Sequence, residues 1–381
     1  MTSSTSSSRS AGLPSGIGRL PWAGLLALVL VFASDVVLLR CAPPWALVSA
    51  RDPFGVGTPR RVMQELEASE ADRPRVLAVG SSRVFEGFAA AVARESLAGA
   101  EVQKLAHPRF DPFVIRSLVD EVIGLHPSVV VFLWSEGDTH RPLRLEPVPG
   151  SSGASVGAVM DLLGLTDLRF AVENRVTLYR LLASSLLDGY RYRRALASAG
   201  LDSGVSFRFD ERLGRRTRHP TIFGKPLLWA GEPNPVSAAE RRRIFEAFGP
   251  DADARFVDLS VDFAAEITPG EHSRVQMELM RRSVTRLRGA GIEVVIVECP
   301  LHPTAYTLYD RGLRREFLAF AAELEGENGV HVVRLEDMPS PFVESDFKDL
   351  LHARGPGTAK LTQVIVDAVR PLLPDSGSPG D

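Results

Sequence analysis

Five short runs of aliphatic and β-branched residues recur along this chain with helical patterns between them, and no other feature narrows the fold as much. They are "VLAVG" at 76–80, "AEVQKL" at 100–105, "SVVVFLW" at 128–134, "IEVVIVE" at 292–298 and "GVHVVRL" at 329–335. Continuous Val/Ile/Leu runs of this length fit parallel strands covered on both faces. Helical periodicity predicts helices over 86–97, 111–125, 271–288 (closed by Gly289) and 311–324. Strands alternating with helices imply an α/β, doubly wound parallel sheet with right-handed crossovers. In such a sheet, ligands lie outside the carboxyl ends of the strands.

Residues 140–268 interrupt the alternation. They hold a helical pattern over 156–199, then Arg208, Arg212, Arg215, Arg216 and Arg218, then a helix opened by the capping box "SAAE" at Ser237–Glu240. The arginine run reads either as a solvated loop or as part of a cap that binds an anionic group. The predicted organisation is a disordered tail (1–18), a membrane anchor (19–40), a linker (41–73), an α/β domain (74–372) with a mainly helical insertion (140–268), and a second disordered tail (373–381).

A length of 381 residues suffices for one large α/β domain or two modest ones. A net charge of -3 gives no clustered basic excess, so nucleic acid is not an expected partner. The two cysteines, Cys41 and Cys299, make no disulfide framework or zinc-type spacing, and neither a cofactor nor a metal is implied.

The stretch from Leu20 to Leu39 is predominantly apolar and lies between Arg19 and Arg40. At about 1.5 Å per residue it can cross a hydrocarbon core of about 30 Å. Asp35 is its one acidic residue, near the carboxyl end, where it can reach the interface. The positive charges flanking the span are nearly balanced, with Arg9 and Arg19 before it and Arg40 and Arg51 after it.

The chemistry is expected from separated pieces. Gly80-Ser81-Ser82 follows the first strand, where a serine is presented at the active edge. After the last strand, "ESDFKDLLHARGPGTAKL" places Asp349 three residues before His352 and a helix start near 356–360. A serine whose proton is taken by a histidine, itself oriented by a carboxylate, is the arrangement that activates a hydroxyl near neutral pH.

This pattern resembles the SGNH (GDSL-like) hydrolase superfamily. Its Gly-x-Ser block after strand one matches Gly80-Ser81-Ser82. Its Asp-x-x-His block after strand five matches Asp349-Leu350-Leu351-His352. The "Gly-Ser-Ser-Arg" form, the single N-terminal span and "VVIVECPLHP" are similar to a membrane-anchored branch that includes D-alanyl transfer and alginate O-acetyltransferase proteins. The resemblance implies a flavodoxin-like five-stranded sheet and a triad of Ser82, His352 and Asp349. It also implies a catalytic domain outside the cytoplasmic membrane, acting on acyl esters of a cell-surface glycan or similar polymer. A membrane-bound acyltransferase is the implied partner.

The chain departs from the family in two blocks. "KLAHPRF" has no glycine after the second strand, and "LWSEGDTH" puts Gly137 where the family has asparagine. The expected oxyanion donors are therefore the backbone N–H groups of Ser82, Ala106 and Gly137. Arg83, His107, Asp138 and His302 are the candidates for substrate contact, and His107 is a candidate oxyanion donor as well. Arg83 sits at a helix start, where the dipole disfavours a cation, which points to pairing with Glu136, Asp138 or an anionic substrate. The departures also leave a non-catalytic glycan-binding or scaffold protein as the alternative.

Overall fold

The structure, a computed structural model, describes residues 57–69, 73–106, 110–141, 155–174, 236–248, 254–308 and 311–374, together with residues 29, 30, 33, 178, 179, 181 and 182. The chain divides into two units, Met1–Pro44 and Trp45–Asp381, and the sheet and the site belong to the second.

Five parallel strands form the sheet: β1 (Arg75–Gly80), β2 (Glu101–Ala106), β3 (Val129–Trp134), β4 (Glu293–Glu298) and β5 (Val330–Val333). Their order is β2-β1-β3-β4-β5. The chain leaves β1 for one edge, then returns past it to build the other, so strand order reverses at β1 and β3. That reversal is where doubly wound sheets open a crevice at the carboxyl ends.

Alternation along the strands sorts side chains into two cores. Leu77, Val79, Val130, Phe132, Trp134, Val294 and Ile296 face one layer. It is built from α1 (Gly57–Ala68), α4 (Pro112–Gly124), α10 (Glu271–Gly289) and α12 (Arg311–Glu325). Val76, Ala78, Val129, Val131, Leu133, Val295 and Val297 face the other. That layer comprises α2 (Ser82–Gly87), α3 (Ala90–Ser96) and α13 (Gly355–Val369). Burial on both faces is why these strands carry unbroken apolar runs. Each fully buried Val, Leu or Ile contributes about 1.5–3 kcal/mol.

The helix expected over 86–97 is two helices. The chain leaves helical geometry at Phe88, whose ring is buried, and the N–H of Ala89 donates to Thr362 Oγ1 on α13 at 3.0 Å. Packing Phe88 and satisfying that amide outweigh continuous helical propensity, which is a weak prior.

The helix expected over 156–199 is also interrupted. α6 (Val156–Leu165) ends at Thr166, and α7 (Leu168–Glu173) restarts with Asp167 Oδ1 accepting the Phe170 N–H at 2.7 Å. Most of the remainder, and the arginines between 208 and 218, lie outside the described residues. α6 and α7 pack on Phe113, Val275 and Leu279. Further on, α8 (Ala238–Phe248) and α9 (Ala254–Ala265) pack on Leu301, Ala305 in α11 (Ala305–Leu308), Leu313, Leu350 and Leu351. The insertion therefore buttresses the loop that carries Asp349 and His352.

Among the described residues no helix is long and apolar enough to cross a membrane. The stretch from Leu20 to Leu39 lies outside them, apart from residues 29, 30 and 33.

Candidate active site

β1 ends at Gly80 because α2 turns back tightly against it. A Cβ at Gly80 would lie 2.7 Å from Val84 Cγ2, inside van der Waals contact. The two serines that follow then divide the work. Ser81 is the N-cap of α2: it is buried, and its Oγ accepts the Arg83 N–H at 3.4 Å. Ser82 is the first helical residue and half-buried, and its Oγ lies 2.8 Å from Nε2 of His352.

His352 sits on a narrow turn after β5. Phe347 and Ala353 form an antiparallel bridge, the Lys348 N–H donates to His352 O at 3.0 Å, and the Arg354 N–H donates to Asp346 O at 2.8 Å. Asp346 is itself anchored to α13 by Lys360 at 2.7 Å. Within the turn the imidazole Nδ1 lies 2.8 Å from Asp349 Oδ2 and 2.9 Å from Oδ1. Asp349 Oδ1 also accepts the N–H groups of Leu351 and His352, at 2.8 and 2.9 Å. Its carboxylate is 1% exposed, so it is held by three donors with no competing water. With Nδ1–H donating to Asp349, Nε2 is the acceptor for the Ser82 hydroxyl. Such a chain can deprotonate Ser82 as Oγ attacks an acyl carbonyl.

The turn after β3 is built by α5 (Glu136–Thr139), with Ser135 as its N-cap. Gly137 was expected to donate to an oxyanion; its N–H instead donates to Ser135 Oγ at 3.2 Å. That amide is spent on the cap. Asp138 Oδ2 accepts the Ser135 N–H at 3.1 Å, which closes the box. Asp138 Oδ1 accepts from Arg83 Nη2 at 3.2 Å, and Arg83 Nη1 donates to Ser135 Oγ. Arg83 and Asp138 are thus a mostly buried ion pair, with side chains 4% and 12% exposed, and not surface groups awaiting substrate. Burial raises the Asp138 pKa and the Arg83 charge opposes that rise.

His302 is also corrected. It is fully buried, its ring packs against Phe248 and Phe347 at 4.5 and 5.8 Å, and its Nδ1 accepts the Thr304 N–H at 3.1 Å. Burial lowers its pKa. It supports the His352 loop from beneath. His107 lies outside the described residues. Ala106 ends β2 in register with Gly80, beside the Ser82 turn.

Ser135 gains importance only in the structure, whereas Glu136 was already among the expected partners of Arg83 and feels its charge. Ser135 is marked in sequence solely by the S-x-x-D spacing of "SEGD", a helix-opening pattern. Glu136 is buried, its carboxylate makes no hydrogen bond to another residue, and burial pushes its pKa up to about 7 against the pull of its own main-chain N–H and of the Arg83 charge. Cys299 is buried, with its thiol against the Arg83 guanidinium. No group of three His, Cys, Asp or Glu among the described residues could hold a metal ion.

A groove of about 650 Å³ lined by Arg116, Arg281, Arg282, Arg286, Asp161 and Glu278 contains neither Ser82 nor His352. Its arginines are paired with Asp161, Asp120, Glu278 and Glu323. That groove is not where the Ser82–His352 pair lies, and the hydrogen-bonded groups decide the site.

No family model matches the chain, and no curated protein matches it. Among solved structures, the chain is similar to one from Bacteroides fragilis NCTC 9343 described as a "putative acylhydrolase". Identity is 11%, the match covers 85% of this chain and 100% of that one, and the TM-score is 0.38. So loose a likeness leaves the reading of the site to the site's own geometry.

Proposed function

We propose that this chain is a serine esterase or O-acyltransferase of the SGNH type, using Ser82, His352 and Asp349. The observation that carries the reading is the unbroken hydrogen-bond chain Asp349–His352–Ser82 at the carboxyl end of β1. The β2-β1-β3-β4-β5 order and the position of the Asp-x-x-His turn between β5 and the last long helix support it.

In the proposed reaction Ser82 Oγ attacks the acyl carbonyl while His352 Nε2 takes its proton. Asp349 holds the imidazolium by its Nδ1–H. The leaving alkoxide takes the proton from Nε2 and departs as an alcohol, leaving an ester on Ser82. Water or a sugar hydroxyl, deprotonated by His352, then attacks that ester and releases Ser82. The Ser82 N–H, in the first turn of α2, and the Ala106 N–H are the proposed oxyanion donors. The proposed substrate is an acyl ester of a cell-surface glycan or related polymer. The proposed setting is the outer face of a membrane, anchored through residues 19–40 and served by a membrane-bound acyltransferase. The test is labelling of the protein by a fluorophosphonate. The label should be lost in Ser82→Ala and kept in Ser81→Ala; the reverse pattern would move the nucleophile to Ser81.

A second reading, a non-catalytic glycan-binding or scaffold protein, is favoured by one observation. The Gly137 amide, at the position of the family's asparagine, is consumed by Ser135, and losing one oxyanion donor costs about 3 kcal/mol of transition-state stabilisation. Turnover of p-nitrophenyl acetate that disappears in His352→Ala would rule this reading out.

A further inference from the structure

We infer that Arg83 is a positioning residue for Ser82: its buried guanidinium ties the turn that carries Ser82 to the turn after β3. This rests on the reading of Ser82 as the nucleophile. Ser82 and Arg83 are consecutive in the first turn of α2, yet their side chains part there. Ser82 reaches His352, whereas Arg83 runs into the protein and is 4% exposed. Its Nη1 donates to Ser135 Oγ, the hydroxyl that caps α5, and its Nη2 donates to Asp138 Oδ1 at 3.2 Å. One planar fork thus grips both ends of the "SEGD" turn, while the Arg83 main-chain N–H is held by Ser81.

The pairing of β1 with β3 stops at Val79↔Phe132, before either turn begins. Beyond that point the Arg83 fork joins the two turns. Gly137 makes room for it: a Cβ there would lie 3.0 Å from Arg83 Nη2 and 3.2 Å from Ile267 Cδ1. Stability alone does not account for such a pair, because buried ion pairs are often replaced by apolar residues of similar volume without loss. What apolar residues cannot do is fix two acceptors at once in a set geometry. Geometry is what a nucleophile needs, since a displacement of about 1 Å can cost about a hundredfold in rate.

The experiment compares Arg83→Met, Arg83→Lys and Gly137→Ala in the full-length protein. It reads p-nitrophenyl acetate kinetics, fluorophosphonate labelling rate, thermal midpoint and a crystal structure of each variant. Arg83→Met should lower kcat by about 10- to 100-fold with KM within about twofold, and slow labelling by the same factor. Arg83→Lys keeps the charge but not the fork, and should fall between wild type and Arg83→Met. Gly137→Ala keeps the guanidinium but displaces it, and should lower kcat with KM unchanged. Variants that melt earlier yet label and turn over at wild-type rates would overturn the inference. So would a raised KM at unchanged kcat, which would make Arg83 a substrate contact.

A wild-type protein that neither labels nor turns over refutes the Ser82 reading instead. Arg83 is then judged by structure: the 2.8 Å separation of Ser82 Oγ from His352 Nε2 should open beyond about 3.5 Å in Arg83→Met, and an unchanged separation overturns the inference. If Arg83→Met does not fold, Arg83→Lys and Gly137→Ala carry the same comparisons.

Discussion

Ser82 Oγ and His352 Nε2 lie 2.8 Å apart across 270 residues of chain. Neither is held by its neighbours in sequence alone. The turn that presents the serine is tied through Arg83 to Ser135 and Asp138, and the turn that presents the histidine is braced on Asp346, Phe347 and the insertion.

Asp349→Asn should keep the turn and lose the reaction. The amide oxygen can still accept the N–H groups of Leu351 and His352, but an NH₂ facing Nδ1 selects the wrong imidazole tautomer. A fall in kcat on the order of 10⁴ is expected from steady-state kinetics, with a thermal midpoint near wild type. Asp349→Ala should lower both, because it leaves buried donors unpaired at about 1–3 kcal/mol each.

Leu350→Ala tests the brace between the insertion and the histidine turn. Leu350 is fully buried against Ile244, Val257 and Val261. Urea unfolding should show a loss of about 2–5 kcal/mol. The kcat should also fall at temperatures where the variant is folded, because His352 is two residues away. A variant that is less stable but fully active would uncouple the insertion from the site.

His140 should make the fold acid-sensitive. It is fully buried, with Nδ1 2.8 Å from Ser273 Oγ, and desolvation drives its pKa down from 6.5 to about 4. Its folded pKa lies below its unfolded one, so the unfolded chain binds the proton first as pH falls. The contribution is fully present above about pH 6.5 and is lost between there and about pH 4, at most about 3 kcal/mol. In His140→Gln the fall in stability between pH 7 and 5, read by urea unfolding, should be shallower than in wild type.

Glu136 should act in the opposite sense. Burial raises its pKa from 4.5 to about 7, so the folded protein holds the proton more tightly. Its contribution is present below about pH 4.5 and is lost as pH rises through about 7, again at most about 3 kcal/mol. Glu136→Gln should melt higher than wild type at pH 8 and close to it at pH 5. Equal midpoints at pH 8 would mean that the carboxylate finds a partner when it ionises. The two windows overlap, so each variant must be measured alone.

Membrane topology is open to a fusion test. With residues 41–381 outside, a carboxyl-terminal alkaline phosphatase fusion should be active, and a green fluorescent fusion exported through Sec should be dark. The reverse pair would place the domain, and its substrate, on the cytoplasmic side.

The strands were legible in the sequence because burial on both faces leaves an unbroken apolar run, and β1, β3 and β4 fall within a residue or two of their predicted limits. The cap at Ser237 was legible for a similar reason: a side chain three residues from the amide it accepts is a local event. Helices 86–97 and 156–199 were misread because Phe88, Thr362 and the surfaces under α6 and α7 decide where those chains bend. Arg83, a cation at a helix start, was expected to pair with Glu136, Asp138 or an anionic substrate, and it pairs with Asp138. His302 carried a residue type suited to binding, but type does not report exposure, and it lies inside the protein. Local pattern sets which segments become strands, helices and turns, because those choices depend on neighbours a few residues away. Only the tertiary structure decided that Ser82 meets His352 and that Arg83 meets Ser135, because each joins groups whose separation is set by the packing of the whole sheet.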